Sequence, residues 1–291
     1  MPPLRMADVV VATPRDLDAA LGRMARAQRM VFVAGLPGVG KSLFIRELAR
    51  AAHAAGRTVH LLQWDVVRPA FVSPEVDARY PEKDGVTHAV IRKAVGLWSR
   101  GAVLRWHAEH PDVRHMLIGE VPIIGNRLLE LAQAQEDEAE SLLAGEGALF
   151  ITPVPSVAVR AAIARARGQT FSNPTHPRES ADAPPALMDA AWDEVHALAA
   201  AIGAAPPVDG PAPFDPSAYA TVYRHLLRHR HALTLWVNVQ LEQRASVYDL
   251  NMTAHELVPA PGEAAAILAR LERESPVDQI ERDVASWFER V

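Results

Sequence analysis

The chain of 291 residues contains no cysteine, few aromatic residues and no long apolar run. The absence of cysteine excludes disulfides, zinc–thiolate sites and a cysteine nucleophile. No apolar run approaches the roughly 18 residues that a membrane span needs. The N-terminus also lacks the charged-then-apolar pattern of a signal peptide. We therefore expect a cytoplasmic protein without a membrane partner.

Composition limits the core and the partners. Aromatic residues make up only 6% of the chain and hydrophobic residues 49%, so a packed core must consist mainly of Val, Leu, Ile and Ala. The formal net charge is −5, which provides no global basic field of the kind that marks nucleic-acid-binding proteins. A nucleic-acid partner is therefore not favoured. The long Ala- and Leu-rich helical stretches leave a homodimer open.

The most specific pattern in the chain is a glycine-rich segment at residues 35–42, which reads Gly-Leu-Pro-Gly-Val-Gly-Lys-Ser. It matches the phosphate-loop pattern G-x-x-x-x-G-K-[S/T], which arises by accident in on the order of one chain in a hundred of this length. An apolar run at 30–34 predicts a buried strand before it, and 42–55 predicts a helix after it. Glycines let backbone N–H groups approach phosphate oxygens, and the helix N-terminus adds positive potential.

This segment predicts ATP and Mg²⁺ as cofactors. Lys41 is expected to reach the β- and γ-phosphates, and the Ser42 hydroxyl to ligate the metal. No Asn-Lys-x-Asp sequence that would read guanine follows the loop, which argues against a GTPase. The predicted nucleotide contacts are Gly35, Pro37, Gly38, Val39, Gly40, Lys41, Ser42 and Leu43.

Strand and helix patterns alternate along the whole chain, which is typical of an α/β fold with a parallel sheet. We expect a single domain over residues 1–291, with a five-stranded, mainly parallel sheet and helices on both faces in three layers. The predicted strands are 30–34, 58–62, 113–118, 148–152 and 232–237, and residues 9–13 could be an edge strand or an extended arm. The predicted helices are 16–28, 42–55, 86–99, 103–110, 126–135, 157–167, one ending near 202, 221–229 and 263–273.

Three segments interrupt this minimal pattern. Residues 66–112 are expected to form a helical insertion on the acceptor side, with a loop at 71–84. Residues 157–190 are expected to form a lid, and 204–231 a proline-rich excursion followed by a short helix. An acidic run at 136–140 is interpreted as a solvated helix surface.

Asp65 and Arg68 follow the second predicted strand. Ligands of open α/β sheets bind outside the carboxyl ends of the strands, so a carboxylate here can accept the proton of an acceptor hydroxyl during phosphoryl transfer. An arginine three residues later can hold an anionic part of the same acceptor. The alternative is a capping aspartate with an unrelated surface arginine.

Glu120 and Arg127 lie at and beyond the end of the third predicted strand. An acid at the position of Glu120 can bind Mg²⁺ or orient its waters, although it could also be a polar residue that ends the strand. Arg127 is expected to open the next helix. Its planar guanidinium suits an acceptor phosphate.

A charge asymmetry follows the fourth predicted strand. Residues 147–178 contain no Asp or Glu but carry four arginines, although the chain as a whole is acidic. A mobile lid that bears arginines could bring cations to the transferring group when the site closes. Arg165 and Arg167 are the expected γ-phosphate contacts. A solvated basic face and a weak RNA-binding patch are the alternatives.

The order of these parts resembles the P-loop kinases that phosphorylate small molecules, the group that contains the nucleoside monophosphate kinases. Residues 35–42 followed by Asp65-x-x-Arg68 are locally similar to adenylylsulfate kinases and to zeta-toxin-like kinases. Residues 150–156, which lead to Arg160 and Arg165, resemble the strand and lid helix of this group, and residues 257–263 resemble its closing element. The resemblance spans roughly 30–203 and 232–273.

The resemblance implies a phosphotransferase. It would move the γ-phosphate of ATP to a hydroxyl or phosphate of a small polar or anionic acceptor of the nucleoside, nucleotide or sugar type. Lys41, Asp65, Glu120, Arg165 and Arg167 would act in catalysis, and Arg68 and Arg127 would bind the acceptor. Two rivals share the phosphate loop: a kinase acting on RNA or DNA ends, and a nucleotide-gated regulatory protein with slow hydrolysis.

Overall fold

A computed structural model describes residues 8–83, 85–172, 176, 185–241, 246, 249–250 and 252–290. A seven-stranded sheet forms the centre of the fold, in the order β1-β6-β5-β2-β4-β3-β7. All its described strand pairings are parallel. The strands are β1 (Val9–Val11), β2 (Met30–Ala34), β3 (Thr58–Leu62), β4 (His115–Val121), β5 (Ala148–Pro155), β6 (Ala232–Val237) and β7 (Ala254–Glu256).

Helices connect the strands, as parallel pairing requires. They are α1 (Pro14–Ala27), α2 (Lys41–Ala54), α3 (Trp64–Val67), α4 (Pro74–Arg79), α5 (Ala89–Glu109), α6 (Glu140–Leu143), α7 (Val157–Ser172), α8 (Pro185–Ala201), α9 (Pro216–Leu226), α10 (Glu263–Glu274) and α11 (Val277–Ala285). Short 3₁₀ turns occupy Arg68–Phe71, Leu129–Leu131 and Trp287–Arg290.

Local sequence explains where several helices begin. Thr13 and Asp16 form a reciprocal capping box at the start of α1, with Pro14 as the first helical residue. Asp215 accepts backbone N–H groups at the start of α9, where Pro216 is the first residue. A proline is tolerated at this position because its missing N–H would have no partner inside the helix.

Helices cover both faces of the sheet, which gives the predicted three layers. Alternating side chains of each buried strand point to opposite faces. On one face, Val31 and Val33 pack with the apolar sides of α1 and α2. On the other, Met30 and Phe32 pack with α5, α8, α9 and α10. The Phe32 and Phe150 rings stack with their centroids 4.8 Å apart, which ties the two central strands together.

The prediction of five strands was wrong in number, although the five predicted strands correspond to β2 to β6. The segment 9–13, left open as an edge strand or an arm, contains β1, which pairs with β6. Strand β7 was missed because it has only three residues and a polar composition. Its backbone nevertheless pairs with β3 and closes that end of the sheet.

Two predictions within residues 66–112 were wrong in detail. The predicted loop at 71–84 contains α4, whose start is capped by Ser73. The separate helices predicted at 86–99 and 103–110 form one continuous helix, α5. Its interior glycines cost about 1 kcal/mol each, but Trp98, Val103 and Trp106 are buried along it and outweigh that cost.

The helix predicted at 126–135 does not form. Asn126 and Leu128 adopt positive φ angles of 57° and 58°, which a right-handed helix cannot contain. Only the 3₁₀ turn at Leu129–Leu131 lies in this range. The helix predicted at 221–229 begins and ends earlier, as α9, and the helix predicted at 263–273 is followed by another, α11.

The acidic run at 136–140 is not a solvated helix surface. Asp137 and Glu140 bind Arg100 of α5, whose side chain is only 2% exposed. Glu140 also pairs with Arg230, at 2.7 Å from its Oε1 to the arginine Nη1. The run therefore neutralises two buried guanidinium groups.

Among the described residues, no helix is both long and apolar enough to span a bilayer. The predicted lid at 157–190 is described in α7 and α8. Residues 173–175 and 177–184 of that segment, including Arg178, lie outside the described residues.

Candidate functional site

The glycine-rich loop lies at the centre of the carboxyl edge of the sheet. It leaves β2, which is flanked by β4 and β5, and enters α2 at Lys41. Gly40 precedes the helix with φ at +91°, a left-handed conformation that favours glycine. In this fully described segment no side chain caps the N-terminus of α2. The first amide groups of a 14-residue helix are thus left for another acceptor.

Neighbouring elements hold the loop in place. The N–H of Gly35 donates to the Val121 carbonyl at 3.3 Å, and the N–H of Leu36 donates to the buried Tyr219 hydroxyl at 3.3 Å. Met188 of α8 packs so closely on Gly38 that an added Cβ would lie 2.1 Å from its methyl carbon. The loop is therefore fixed by β4, α8 and α9 together.

Lys41 is buried at the first turn of α2. Its Nζ donates to the Leu36 carbonyl at 3.0 Å and lies 3.4 Å from Oε1 of Glu120. The two side chains are only 8% and 14% exposed. The ammonium of Lys41 is thus held beside an acid at the loop.

Charges of both signs act on the ammonium of Lys41. Burial lowers the pKa of the Lys41 ammonium, and the positive charges of Arg167 and Arg127 lower it further, whereas Glu120 opposes the change. Two arginines distant in sequence therefore lie near this amine. Several cations close together attract an anionic ligand.

Glu120 and Arg127 are positioned by different elements. Glu120 is the penultimate residue of β4 and is half-buried. Arg127 lies in the loop after β4, with its guanidinium carbon 5.8 Å from the centre of the Trp64 ring. The prediction that Arg127 opens a helix was wrong. Its charge nevertheless acts on Lys41 at the end of the glycine-rich loop.

The loop that carries Arg127 is strained and firmly held. Ile123, Asn126 and Leu128 all have positive φ angles, and each non-glycine residue in such a conformation costs about 1–3 kcal/mol. Several contacts keep the loop in this shape: Ile123 N–H to the Arg127 carbonyl, the Tyr223 hydroxyl to the Pro122 carbonyl, Arg92 to the Gly125 carbonyl, and Asn126 to the Val284 carbonyl. The strain is therefore compensated by contacts with α5, α9 and α11 and by one hydrogen bond within the loop.

Asp65 and Arg68 lie in different surroundings. Asp65 lies in the first turn of α3, directly after β3, and its side chain is exposed at the carboxyl edge. Its neighbour Trp64 contacts Arg127, so the end of β3 adjoins the Arg127 loop. Arg68 instead pairs with Glu82 at 3.0 Å, and this ion pair partly neutralises the charge predicted to bind an acceptor.

The arginines of α7 divide into different roles. Arg160 is buried, with its guanidinium carbon 4.3 Å from the centre of the Phe214 ring, so it belongs to the packed core. Arg167 is half-buried and lies near Lys41. Arg165 is exposed. Of the two predicted γ-phosphate contacts, Arg167 is the one whose charge acts on Lys41.

Two residues of the site were missed. Arg92 of α5 donates to the Gly125 carbonyl at 2.9 Å. Burial lowers the pKa of Arg92, and the nearby Arg127 lowers it further. The second missed residue is Tyr219, whose hydroxyl accepts a hydrogen bond from the N–H of Leu36. Neither carries a sequence signal, because each lies in a helical stretch far from the glycine loop in sequence.

The remaining loop residues fit a nucleotide with its metal. Gly35 and Gly38 are buried, Pro37 and Gly40 are half-buried, and Ser42 is half-buried beside Lys41. The side chains of Val39 and Leu43 are buried. These two residues could therefore contact a ligand only through their backbone amides. The Ser42 hydroxyl and the Glu120 carboxylate are hard oxygen donors, the type that Mg²⁺ prefers. The donor set and the uncapped helix therefore fit Mg·ATP.

Comparisons of the chain with protein-family models, with curated proteins and with solved structures found no match.

Proposed function

We propose that the protein is an ATP- and Mg²⁺-dependent phosphotransferase that acts on a small polar or anionic acceptor. The observation that carries the proposal is the buried Lys41 at the start of α2, 3.4 Å from Glu120. Burial lowers the pKa of its ammonium, and the charges of Arg167 and Arg127 lower that pKa further. Lysine, acid and two arginines from four elements thus meet at one uncapped helix N-terminus. Positive groups fixed in advance around a transferring phosphoryl group are the main source of catalysis in such reactions.

Each residue has a chemical role in this proposal. Bound Mg·ATP supplies the transferable phosphoryl group. Lys41 exchanges its present contacts, the Leu36 carbonyl and Glu120, for phosphate oxygens. Glu120 and Ser42 would hold the Mg²⁺, and Arg167 would stabilise the charge on the transferring oxygens.

The acceptor would bind at the end of β3. Asp65 is exposed there and can take the proton of an acceptor hydroxyl as its oxygen attacks. Arg127 lies between this end and the phosphate loop, near Trp64 and Lys41. A cation in that position favours an acceptor that carries a negative group.

The test is a transfer assay with γ-labelled ATP against pools of nucleosides, nucleotides, sugars and short RNAs. We expect the labelled phosphate to be transferred to a compound in one of the small-molecule pools. Asp65→Asn should lower that transfer by about 100-fold, because general-base catalysis contributes about 10²–10⁴-fold. The affinity for ATP should stay unchanged, since Asp65 is not part of the phosphate loop.

The exposed Asp77 of α4 provides a matched control, and Asp77→Asn should transfer normally. Label in the RNA pool instead would identify a polynucleotide kinase. ATP hydrolysis without any labelled acceptor, unaffected by Asp65→Asn, would indicate a regulatory nucleotide-binding protein.

A further inference from the structure

Three histidines from separate elements converge away from the phosphate loop. His60 lies in the middle of β3, His115 is the first residue of β4, and His110 follows the last residue of α5. Strands β3 and β4 pair with Thr58 opposite His115. The group therefore lies toward the amino edge of the sheet, whereas the glycine loop lies at the carboxyl edge.

The ring nitrogens are close enough to share one ligand. One nitrogen from each of His60, His110 and His115 lies within 4.8 Å of the other two. The Nε2 of His60 and the Nδ1 of His115 are 3.0 Å apart. Two imidazole nitrogens on one tetrahedral zinc ion, each about 2.0–2.1 Å from the metal, lie roughly 3.3 Å apart. Small ring rotations would therefore bring all three nitrogens to a common ion.

The surroundings favour a metal of moderate softness that binds nitrogen. His60 is buried, whereas His110 and His115 are half-buried, so a fourth ligand position can face solvent. The set holds three imidazoles and no carboxylate, which suits zinc, copper, nickel or cobalt and does not suit Mg²⁺. The Trp106 ring, 5.8 Å from the His60 ring, closes the inner side.

The arginines near the cluster bind mainly backbone carbonyls. Arg29 donates to the carbonyls of His110 and Pro111, and Arg57 donates to the carbonyl of His115 at 2.9 Å. Asp112 pairs with Arg114 at 2.7 Å. The remaining neighbour is the exposed His255, whose ring lies 5.3 Å from that of His60.

We propose that His60, His110 and His115 bind a divalent transition-metal ion of the zinc class. The ion joins β3, β4 and the end of α5, and so links the sheet to the helix that packs on it. The site is separate from the phosphate loop, and its existence does not depend on the phosphotransferase activity.

The test uses untagged full-length protein, stripped of metal with a chelator and titrated with Zn²⁺ by calorimetry in a buffer that contains Mg²⁺. Magnesium occupies oxygen sites such as the one proposed at Ser42 and Glu120. We expect one zinc ion per chain. His110→Ala and His115→Ala should each weaken zinc binding by more than about 100-fold, because loss of a group that only orients a metal ligand already costs about 10–100-fold.

The control is the double variant His53→Ala/His229→Ala, which removes two exposed histidines elsewhere and should bind zinc as the wild type does. The wild-type Co²⁺ complex adds a readout that needs no variant: a nitrogen-rich tetrahedral site gives strong visible absorption. Absence of zinc binding, binding that survives in both histidine variants, or a weak octahedral Co²⁺ spectrum would each overturn the proposal.

Discussion

At the scale of single residues, several buried cations of the described chain lie beside an acid. Arg100 and Arg230 are buried, and both bind Glu140. Lys41 has Glu120, but Arg127 and Arg167 add positive charge beside it. A bound polyanion, as we propose, would interact favourably with these cations.

Glu140 provides a stability prediction. Burial raises the pKa of Glu140, but hydrogen bonds from Arg230 and Arg100 outweigh it and lower that pKa to about 2 from the ordinary 4.5. Glu140→Ala should lower the free energy of unfolding at neutral pH by about 3 kcal/mol, since removing one partner leaves buried charges uncompensated. Urea unfolding of both proteins at several pH values measures this difference in the free energy of unfolding.

The pH dependence has a definite sign. A carboxyl whose pKa is depressed by folding stabilises the protein above its ordinary pKa, and that contribution is lost as pH falls toward the folded value. The difference between wild type and Glu140→Ala should therefore shrink between pH 4.5 and about 2. Glu136→Ala, at an exposed position of the same run, should change stability by less than about 0.5 kcal/mol. A constant difference across this pH range would contradict the assignment.

At the scale of elements, α7 is the part that brings a distant cation to the loop. It follows β5 directly, and Ile163 of α7 approaches Gly40, with 3.9 Å between its Cδ1 and the position of a Cβ on that glycine. Arg167 lies one turn further along and near Lys41. Arg165 lies on the same helix but is exposed.

This difference within α7 gives a matched pair of variants. Arg167→Ala should slow phosphoryl transfer by about 100-fold, as loss of a preorganised electrostatic group does. Arg165→Ala should change the rate by no more than about threefold, because solvent and salt screen an exposed charge. Single-turnover rates with the labelled acceptor separate the two. Equal effects would show that α7 does not hold Arg167 selectively at the site.

Elements also show where sequence patterns stop being informative. Residues 126–135 have a helical pattern, but Tyr223, Arg92 and Val284 bind residues 122–126, where the chain enters this segment with positive φ angles. Those partners lie far away in sequence, so local propensity could not anticipate them. The same holds for Arg160, whose place against Phe214 makes it a core residue, although its charge pattern indicated a lid.

At the scale of the whole molecule, the parallel sheet and its two helical layers followed from the alternation of apolar strands with amphipathic helices. Strands β2, β3 and β6 were predicted with correct bounds because each is a short, mainly apolar run. The edge strands β1 and β7 have three residues each and too little pattern to be assigned alone. Among the site residues, the glycine loop was readable because its spacing is local, whereas Arg92 and Tyr219 are placed only by tertiary packing.

The central claim is that a triphosphate binds the amide groups at the start of α2 beside Lys41, and calorimetry with Mg·ATP tests it most directly. Lys41→Met keeps most of the side-chain volume and removes the charge, and its melting temperature shows whether the fold is intact. We predict one nucleotide bound per wild-type chain and an affinity at least about 10-fold weaker for Lys41→Met, equivalent to roughly 1.4 kcal/mol. Folded wild-type protein that gives no binding heat at millimolar Mg·ATP, or a Lys41→Met variant that binds as tightly as the wild type, would contradict it.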